Sequence, residues 1–314
     1  MNVLVTGATG FLGRHLCAAL VERGDAVRAF VRPGTDAGAL EELGVEVVRG
    51  SLADAGALRA AAAGRELVFN AVGLVSYEWR QLDRLREANV ESVRRVLDAV
   101  EPGARLVHVS SGAAVGPSGS PDRLADEAQP FPEVARRNPY SVTKHDAEEL
   151  VFAAVVGGLD AVVGNPAIVL GPGDVYGSST WPVRRYLQGT LRFHTRGGGA
   201  SFVDVRDAAA GLVALAERGR TGERYILTNR EGNLPWNVFF RRVGAATGVR
   251  RLMLPLPPPV LRAAVRVVPW PVKPGEARTA TEWWIFDPGK AERELGFTTR
   301  PLAETIRDTA ADGR

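Results

Sequence analysis

A chain of 314 residues with 45% hydrophobic and 24% charged residues has room for a large α/β domain and a smaller second one, and its composition excludes a disordered or fibrous protein. A single cysteine, Cys17, excludes an internal disulfide and a cysteine-based metal cluster, and four scattered histidines (His15, His108, His145, His194) predict no metal site. The net charge of +3, with dispersed basic residues and no lysine-rich block, argues against nucleic acid as a partner, and no window of about 18 uncharged apolar residues supports stable membrane insertion.

The start, Met1-Asn2-Val3-Leu4-Val5, reads as a strand and has neither the basic region nor the cleavage site of a signal peptide, so a cytoplasmic location is expected. In chain order, apolar runs predict buried parallel strands at 2–6, 26–31, 45–49, 67–70, 105–110 and 161–165. Helical patterns fall between them at 11–23, 37–43, 55–63, 82–100 and 140–156. This alternation predicts an α/β fold of the Rossmann type, a doubly wound parallel sheet covered on both faces. Beyond about residue 165 glycine and proline become frequent, with a further helix at 204–218, a strand at 224–228 and an apolar helical stretch at 260–268. The expected division is a dinucleotide-binding domain over 1–170, to which 200–230 returns, and a smaller C-terminal substrate-binding part over 171–199 and 231–314.

The first strand runs into Thr6-Gly7-Ala8-Thr9-Gly10-Phe11-Leu12-Gly13 and then a helix. Gly7 allows the tight turn, Gly10 lets the backbone approach a pyrophosphate, and Gly13 lets the helix pack closely on the strand. The helix N-terminus offers free N–H groups to phosphates. The second strand ends in Phe30-Val31-Arg32, without the carboxylate that would bind a free ribose 2′-hydroxyl. A guanidinium at Arg32 suits a 2′-phosphate and favours NADP(H) over NAD(H), with Arg28 and Arg14 as helpers.

Tyr140-Ser141-Val142-Thr143-Lys144 sets a phenol and an ammonium four residues apart, on one helix face. A nearby ammonium favours the phenolate and lowers a tyrosine pKa from its usual value of about 10, suiting it to acid/base work. Only Lys144, Lys273 and Lys290 are lysines in this arginine-rich chain, which marks Lys144 further. Asn138 and Pro139 read as N-cap and first-turn residues of that helix. Ser110 and Ser111 end a parallel strand, where hydroxyls face the ligand crevice.

With these residues the sequence resembles the extended short-chain dehydrogenase/reductase family, in its dihydroflavonol reductase-like and 3β-hydroxysteroid dehydrogenase-like branch. The matching stretches are TGATGFLG (6–13), HVSSGAAVG (108–116), YSVTK (140–144), NPAIVLGPGD (165–174), FVDVRDAA (202–209) and KAERELGF (290–297). The resemblance implies Tyr140 as general acid/base and Lys144 as the group that binds the nicotinamide ribose and lowers the tyrosine pKa. It implies Ser111, rather than Ser110, as the hydroxyl on the substrate oxygen, and Asn89 as support of the proton relay. Cofactor contacts are implied for Gly7, Thr9, Gly10, Phe11, Leu12, Gly13, for Asn70, Ala71 and Val72 after strand four, and for Pro166. Where many relatives have Gly-Asp-Leu after strand three, this chain has Gly50-Ser51-Leu52, so Ser51 and Leu52 replace an acidic contact.

The reaction implied is NADPH-dependent reduction of a ketone or aldehyde on a hydrophobic substrate of secondary-metabolite type. The rival on the same fold is an NAD-dependent sugar-nucleotide epimerase or reductase. Against it stand Arg32, Ala200 where many such enzymes place an arginine for the nucleotide phosphates, and Asn165-Pro166-Ala167 in place of an arginine-containing segment. Arg278 is the one substitute phosphate ligand in view. Gly112-Ala113 supplies no acid for a sugar dehydratase. A third reading, a non-catalytic NADP(H)-sensing protein, conflicts with the retained Tyr140 and Lys144. Tyr77, Trp79, Tyr176 and Trp181 are the candidate substrate contacts, with Trp236, Trp283, Trp284 and His194 as further pocket candidates. The resemblance also implies a homodimer through 82–100 and 140–156, although reductases of this branch can be monomeric.

Overall fold

The computed structural model describes residues 1–175, 177–267 and 272–312. The first half alternates as its apolar pattern predicts. Strands β1 (Asn2–Thr6), β2 (Ala26–Val31), β3 (Glu46–Arg49), β4 (Leu67–Asn70), β5 (Arg105–Val109) and β6 (Asp160–Pro166) are separated by helices α1 (Phe11–Glu22), α2 (Gly38–Glu42), α3 (Ala55–Ala62), α4 (Leu82–Arg86), α5 (Ser92–Leu97), α6 (Gly112–Val115) and α7 (Pro139–Val156). There follow β7 (Ile168–Leu170), α8 (Trp181–Gln188), β8 (Phe193–Thr195), β9 (Gly199–Ala200), β10 (Phe202–Asp204), α9 (Val205–Arg218) and β11 (Arg224–Leu227). The last stretch holds β12 (Leu234–Pro235), α10 (Trp236–Thr247), β13 (Leu254–Leu256), α11 (Pro258–Val267), α12 (Pro274–Ala280), β14 (Trp283–Trp284), α13 (Gly289–Leu295) and α14 (Leu302–Asp312).

The main sheet has seven parallel strands in the order β11-β6-β5-β4-β1-β2-β3. Its central strands are buried on both faces, which is why they read as continuous apolar runs. One face packs Leu16, Cys17 and Leu20 of α1 and Leu212 and Leu215 of α9 against Val3, Val5 and Val107. The other packs Leu58 of α3, Val93 and Val96 of α5 and Ala147 and Val151 of α7 against Leu4, Val68 and Leu106. Strand order reverses between β1 and β4, so the turns leaving these two strands diverge to opposite sides and open a crevice at their carboxyl ends. Thr6 and Asn70, at those ends, are tied by a 2.8 Å hydrogen bond from the threonine hydroxyl to Asn70 Oδ1.

Residues 82–100 differ from the single helix expected. A π-helical turn over Glu87–Glu91 separates α4 from α5. The extra residue of such a turn re-aims a side chain, and here it belongs to the turn that carries Asn89.

A second apolar core lies beyond the sheet. Leu170, Val183, Tyr186, Phe202, Phe239 and Phe240 meet there, with the Phe202 and Phe239 rings stacked at 4.1 Å. A three-stranded sheet, β12-β9-β14, joins three distant chain segments, and β13 pairs with β8. These elements stand over the carboxyl ends of the main strands.

Candidate active site

A cleft of about 1220 Å³ runs from the β1 turn to the second core. Gly7, Thr9, Gly10, Phe11, Leu12 and Gly13 line one end. Gly7 has φ +76°, and a Cβ there would stand 2.5 Å from the Ala71 carbonyl carbon and oxygen. A Cβ on Gly13 would stand 2.2 Å from Gly7 O. The turn therefore closes against the β4 turn and against its own helix only without side chains. Helix α1 begins at Gly10 with no side-chain cap, so its first N–H groups are free for an anion at the cleft. This cradle fits a dinucleotide pyrophosphate.

Arg32, Ser51, Leu52, Ala71, Val72 and Pro166 also line the cleft. The Arg32 side chain has no ion pair or hydrogen bond among the described residues. Arg28 is not its helper: its guanidinium is tied to Glu46 at 2.9 Å and to the Ala61 carbonyl, and neither Arg28 nor Arg14 borders the cleft. Asn70 does not border it either. It is fully buried, and its Oδ1 accepts from Thr6 and, at 3.4 Å, from the Val72 N–H, so it fixes the shape of the turn from beneath.

Tyr140, Lys144 and Ser111 converge at the middle of the cleft. Asn138 caps α7, its Oδ1 accepting from the N–H groups of Tyr140 at 3.0 Å and Ser141 at 3.4 Å, with Pro139 in the first turn. Ser111 caps the short α6 and accepts from the Ala113 N–H at 3.2 Å. Its hydroxyl shares the cleft wall with the Tyr140 phenol, near enough to act on that phenol's pKa. Ser110 is 7% exposed and has no such contact. A Cβ on Gly112 would meet the Phe286 ring at 2.7 Å, so the glycine after Ser111 admits that ring to the cleft wall.

The electrostatics depart from the expected tuning of Tyr140 by Lys144. Burial pushes the Tyr140 phenol above its ordinary value, and it is the Ser111 hydroxyl that draws it down. Lys144 is 2% exposed, and its Nζ donates to the Val109 carbonyl at 2.9 Å. Burial pushes Lys144 down to about 8, while the Glu148 carboxylate one turn along works against that fall. His108, fully buried on β5, is held well below its ordinary value by burial and by the Lys144 charge.

Asn89 is fully buried. Its Nδ2 donates to the Leu74 carbonyl and the Thr143 hydroxyl, each at 3.0 Å, and its Oδ1 accepts from the Leu74 N–H at 2.7 Å. It thus couples the loop after β4 to the helix turn that carries Tyr140. A support not foreseen from sequence lies on the other side. Asn165 Nδ2 donates to the Ser111 carbonyl at 3.0 Å and to Glu148 Oε1 at 2.5 Å, and Glu148 is paired with Arg224 at 3.3 Å.

At the substrate end Tyr77 lies edge-on to Tyr140, ring centroids 6.1 Å apart, and Trp181 lines the wall with the Arg185 guanidinium over its ring. Burial, then the neighbouring Tyr140 and Glu276, push the Tyr77 phenol well up. Trp79 corrects the expectation: it is 45% exposed, its Nε1 donates to the Arg137 carbonyl, and it does not reach the cleft. Tyr176 lies outside the described residues. Trp236, Trp284 and His194 line the cleft, whereas Trp283 does not. Arg278 donates to the Arg137 carbonyl outside the cleft. The sequence reading missed Leu191, Phe193, Phe240, Leu261 and Val272, which complete an apolar wall from separate segments.

Residues 3–228 match the model of the NAD-dependent epimerase/dehydratase family. The chain is 30% identical over 321 residues to a putative dihydroflavonol 4-reductase of Synechocystis, covering 97% of this chain and 92% of that one. It is 31% identical over 327 residues to 4-hydroxy-2-methyl-3-oxo-4-farnesyl-3,4-dihydroquinoline-1-oxide ketoreductase of Stigmatella aurantiaca, covering 96% and 92%. Among solved structures, that of gox2253 superposes with a TM-score of 0.87 at 29% identity over 99% of this chain and 97% of the other. Its glycine turn, its Ser-Tyr-Lys constellation and these matches together make the chain a member of the NAD-dependent epimerase/dehydratase family of extended short-chain dehydrogenases/reductases, a family of nicotinamide-dependent enzymes with reductases among its relatives.

Proposed function

We propose that the protein reduces a ketone or aldehyde on a hydrophobic substrate to an alcohol, using NADPH. The observation that carries this reading is the convergence of Ser111, Tyr140 and Lys144 at the centre of a cleft whose one end is a phosphate cradle and whose other end is apolar. When bound, the nicotinamide supplies hydride to the carbonyl carbon. Ser111 orients the carbonyl oxygen, and Tyr140, kept protonated by its raised pKa, donates the proton to that oxygen. Lys144 holds its charge beside the ribose, and Asn89 fixes the tyrosine's helix turn against the β4 loop.

Arg32 supports NADP(H), because a free guanidinium at the end of β2 pairs with a 2′-phosphate where no carboxylate stands. The ketoreductase name of the Stigmatella relative supports the reductive chemistry. The cleft's arginines also weigh against a nucleotide-sugar. Among the described residues they are Arg32, Arg84 and Arg95, the last two engaged by Gln81 and Glu87, and Ala200 lines the apolar end. We assign 1–170 with 200–230 to the cofactor and 171–199 with 231–314 to the substrate, and place the protein in the cytoplasm as a homodimer through α4, α5 and α7.

The test is the dissociation constants of NADPH and NADH for the wild type and Arg32→Ala. NADPH tighter by tenfold or more, about 1.4 kcal/mol, with the advantage lost in Arg32→Ala, is expected. A preference for NADH in the wild type overturns the assignment and turns attention to sugar-nucleotide epimerisation.

A further inference from the structure

Basic residues are spread along the chain, but acidic ones are not. Residues 175–203 and 232–275 hold eleven arginines and lysines and no aspartate or glutamate, leaving 28 of the 39 basic residues against all 36 acidic ones elsewhere. The small net charge conceals a basic lobe on an acidic remainder.

The fold brings part of that lobe together. β13 pairs with β8 in the register Leu254↔Phe193, which sets Arg192 level with the Leu252–Leu254 stretch and Arg196 beyond Leu256, toward the start of α11. α11 follows directly, carrying Arg262 and Arg266, and the exposed Arg250 and Arg251 precede the strand. Of these six arginines only Arg262 meets a carboxylate among the described residues, Glu282 at 3.0 Å. Between them stand Leu252, Leu254 and Val260, 85%, 56% and 50% exposed, on a segment with prolines at 255, 257, 258 and 259. α11 is strongly amphipathic: Leu261 and Val265 are buried, and Val260, Arg262 and Arg266 face outward.

We propose that this face, from Arg250 to Arg266 with Arg192 and Arg196, docks the protein on an anionic lipid surface. Exposed leucines and a valine ringed by guanidiniums, five of the six without a carboxylate partner among the described residues, match a bilayer interface, where apolar side chains enter the acyl boundary and arginines meet lipid phosphates. The stretches that build this face bring no carboxylate of their own to repel an anionic headgroup, and the neighbouring Glu282 is held by Arg262. The contact is peripheral, because no helix of the described residues is long and apolar enough to cross a membrane. Leu261, next to the exposed Val260, lines the cleft, so the docked face backs onto the substrate wall. Delivery of a hydrophobic substrate through that wall rests on the proposed reductase reading; the docking itself does not.

The test is flotation of the full-length protein with vesicles of phosphatidylcholine alone or with about a third phosphatidylglycerol, at low salt and at about 0.5 M salt. Binding to the anionic vesicles alone, lost at high salt and reduced at least tenfold in Leu252→Glu/Leu254→Glu, is expected. That variant keeps wild-type NADPH affinity and melting temperature, because neither leucine touches the cleft or the core. A protein that stays with the aqueous phase at low salt, or binds neutral and anionic vesicles alike, overturns the proposal. So does a wild-type dimer that the double variant turns to monomer in sedimentation, which would make the patch a self-interface. No arm measures turnover, so failure here is separable from failure of the reductase reading.

Discussion

Replacing Lys144 by methionine isolates the cost of a buried ammonium. A fall of the Lys144 pKa from 10.5 to about 8 means that folding disfavours its charged form by about 3 kcal/mol at pH 7. The unfolded chain binds more protons than the folded one between those two values, so this penalty is fully present below pH 8 and is relieved as pH rises toward 10.5. At pH 9.5 about 1.4 kcal/mol of it remains. Lys144→Met removes the penalty and also the hydrogen bond to the Val109 carbonyl, worth about 1 kcal/mol. The cofactor-free variant is therefore expected to be about 2 kcal/mol more stable than wild type at pH 7 and close to parity at pH 9.5. Urea unfolding of both proteins at the two pH values measures it, and subtracting one from the other cancels the titrations that do not involve Lys144. A gap that does not change with pH, or a variant less stable at pH 7, refutes the reasoning.

Glu148→Gln removes the carboxylate that props up Lys144, so the alkaline loss of NADPH affinity, expected near pH 8 in wild type, moves to lower pH; fluorescence titration across pH reads the shift. Gly7→Ala puts a methyl 2.5 Å from the Ala71 backbone at a φ of +76°, so a loss of about 2 kcal/mol or more in stability, together with NADPH binding, is expected in calorimetry. Tyr77→Ala raises KM for a hydrophobic ketone, whereas Trp79→Ala leaves kcat/KM unchanged; equal effects of the two would contradict the cleft described above.

The sheet was legible because its strands are buried on both faces and therefore spell continuous apolar runs that need no tertiary knowledge to read. The same holds for Tyr140 and Lys144, whose meeting depends only on helical spacing, and for Asn138 and Pro139, whose roles are local. Legibility ended where function depends on packing. Tyr77 and Trp79 are two residues apart in a loop without a period, and only the docking of that loop on α12, where the Gly275 N–H donates to Glu78 at 2.8 Å, turns one into the cleft and leaves the other outside. Lys144 looked like a simple ammonium beside a phenol. Its burial, its carbonyl partner and the opposing Glu148 decide its charge, and none of these is a property of the YSVTK segment. The apolar wall of Leu191, Phe193, Phe240 and Leu261 comes from elements that meet only in three dimensions. The acid-free stretches, by contrast, were legible all along, but only when charges are counted by sign and place, because a net total of +3 erases them.

The small β12-β9-β14 sheet has a consequence for anyone who would re-engineer this chain by exchange of parts. It stitches 199–200, 234–235 and 283–284 together, while the chain between the first two returns through α9 to lay β11 against β6. The apolar end of the cleft is thus not a cassette. A chimera that imports another protein's pocket must break the chain near 170, 200 and 230, and Ile168, Ala200 and Ser201 at two of those seams are themselves cleft wall. Pocket and scaffold share joints, so new specificity is better sought by replacing single side chains such as Leu191 or Phe240 than by grafting.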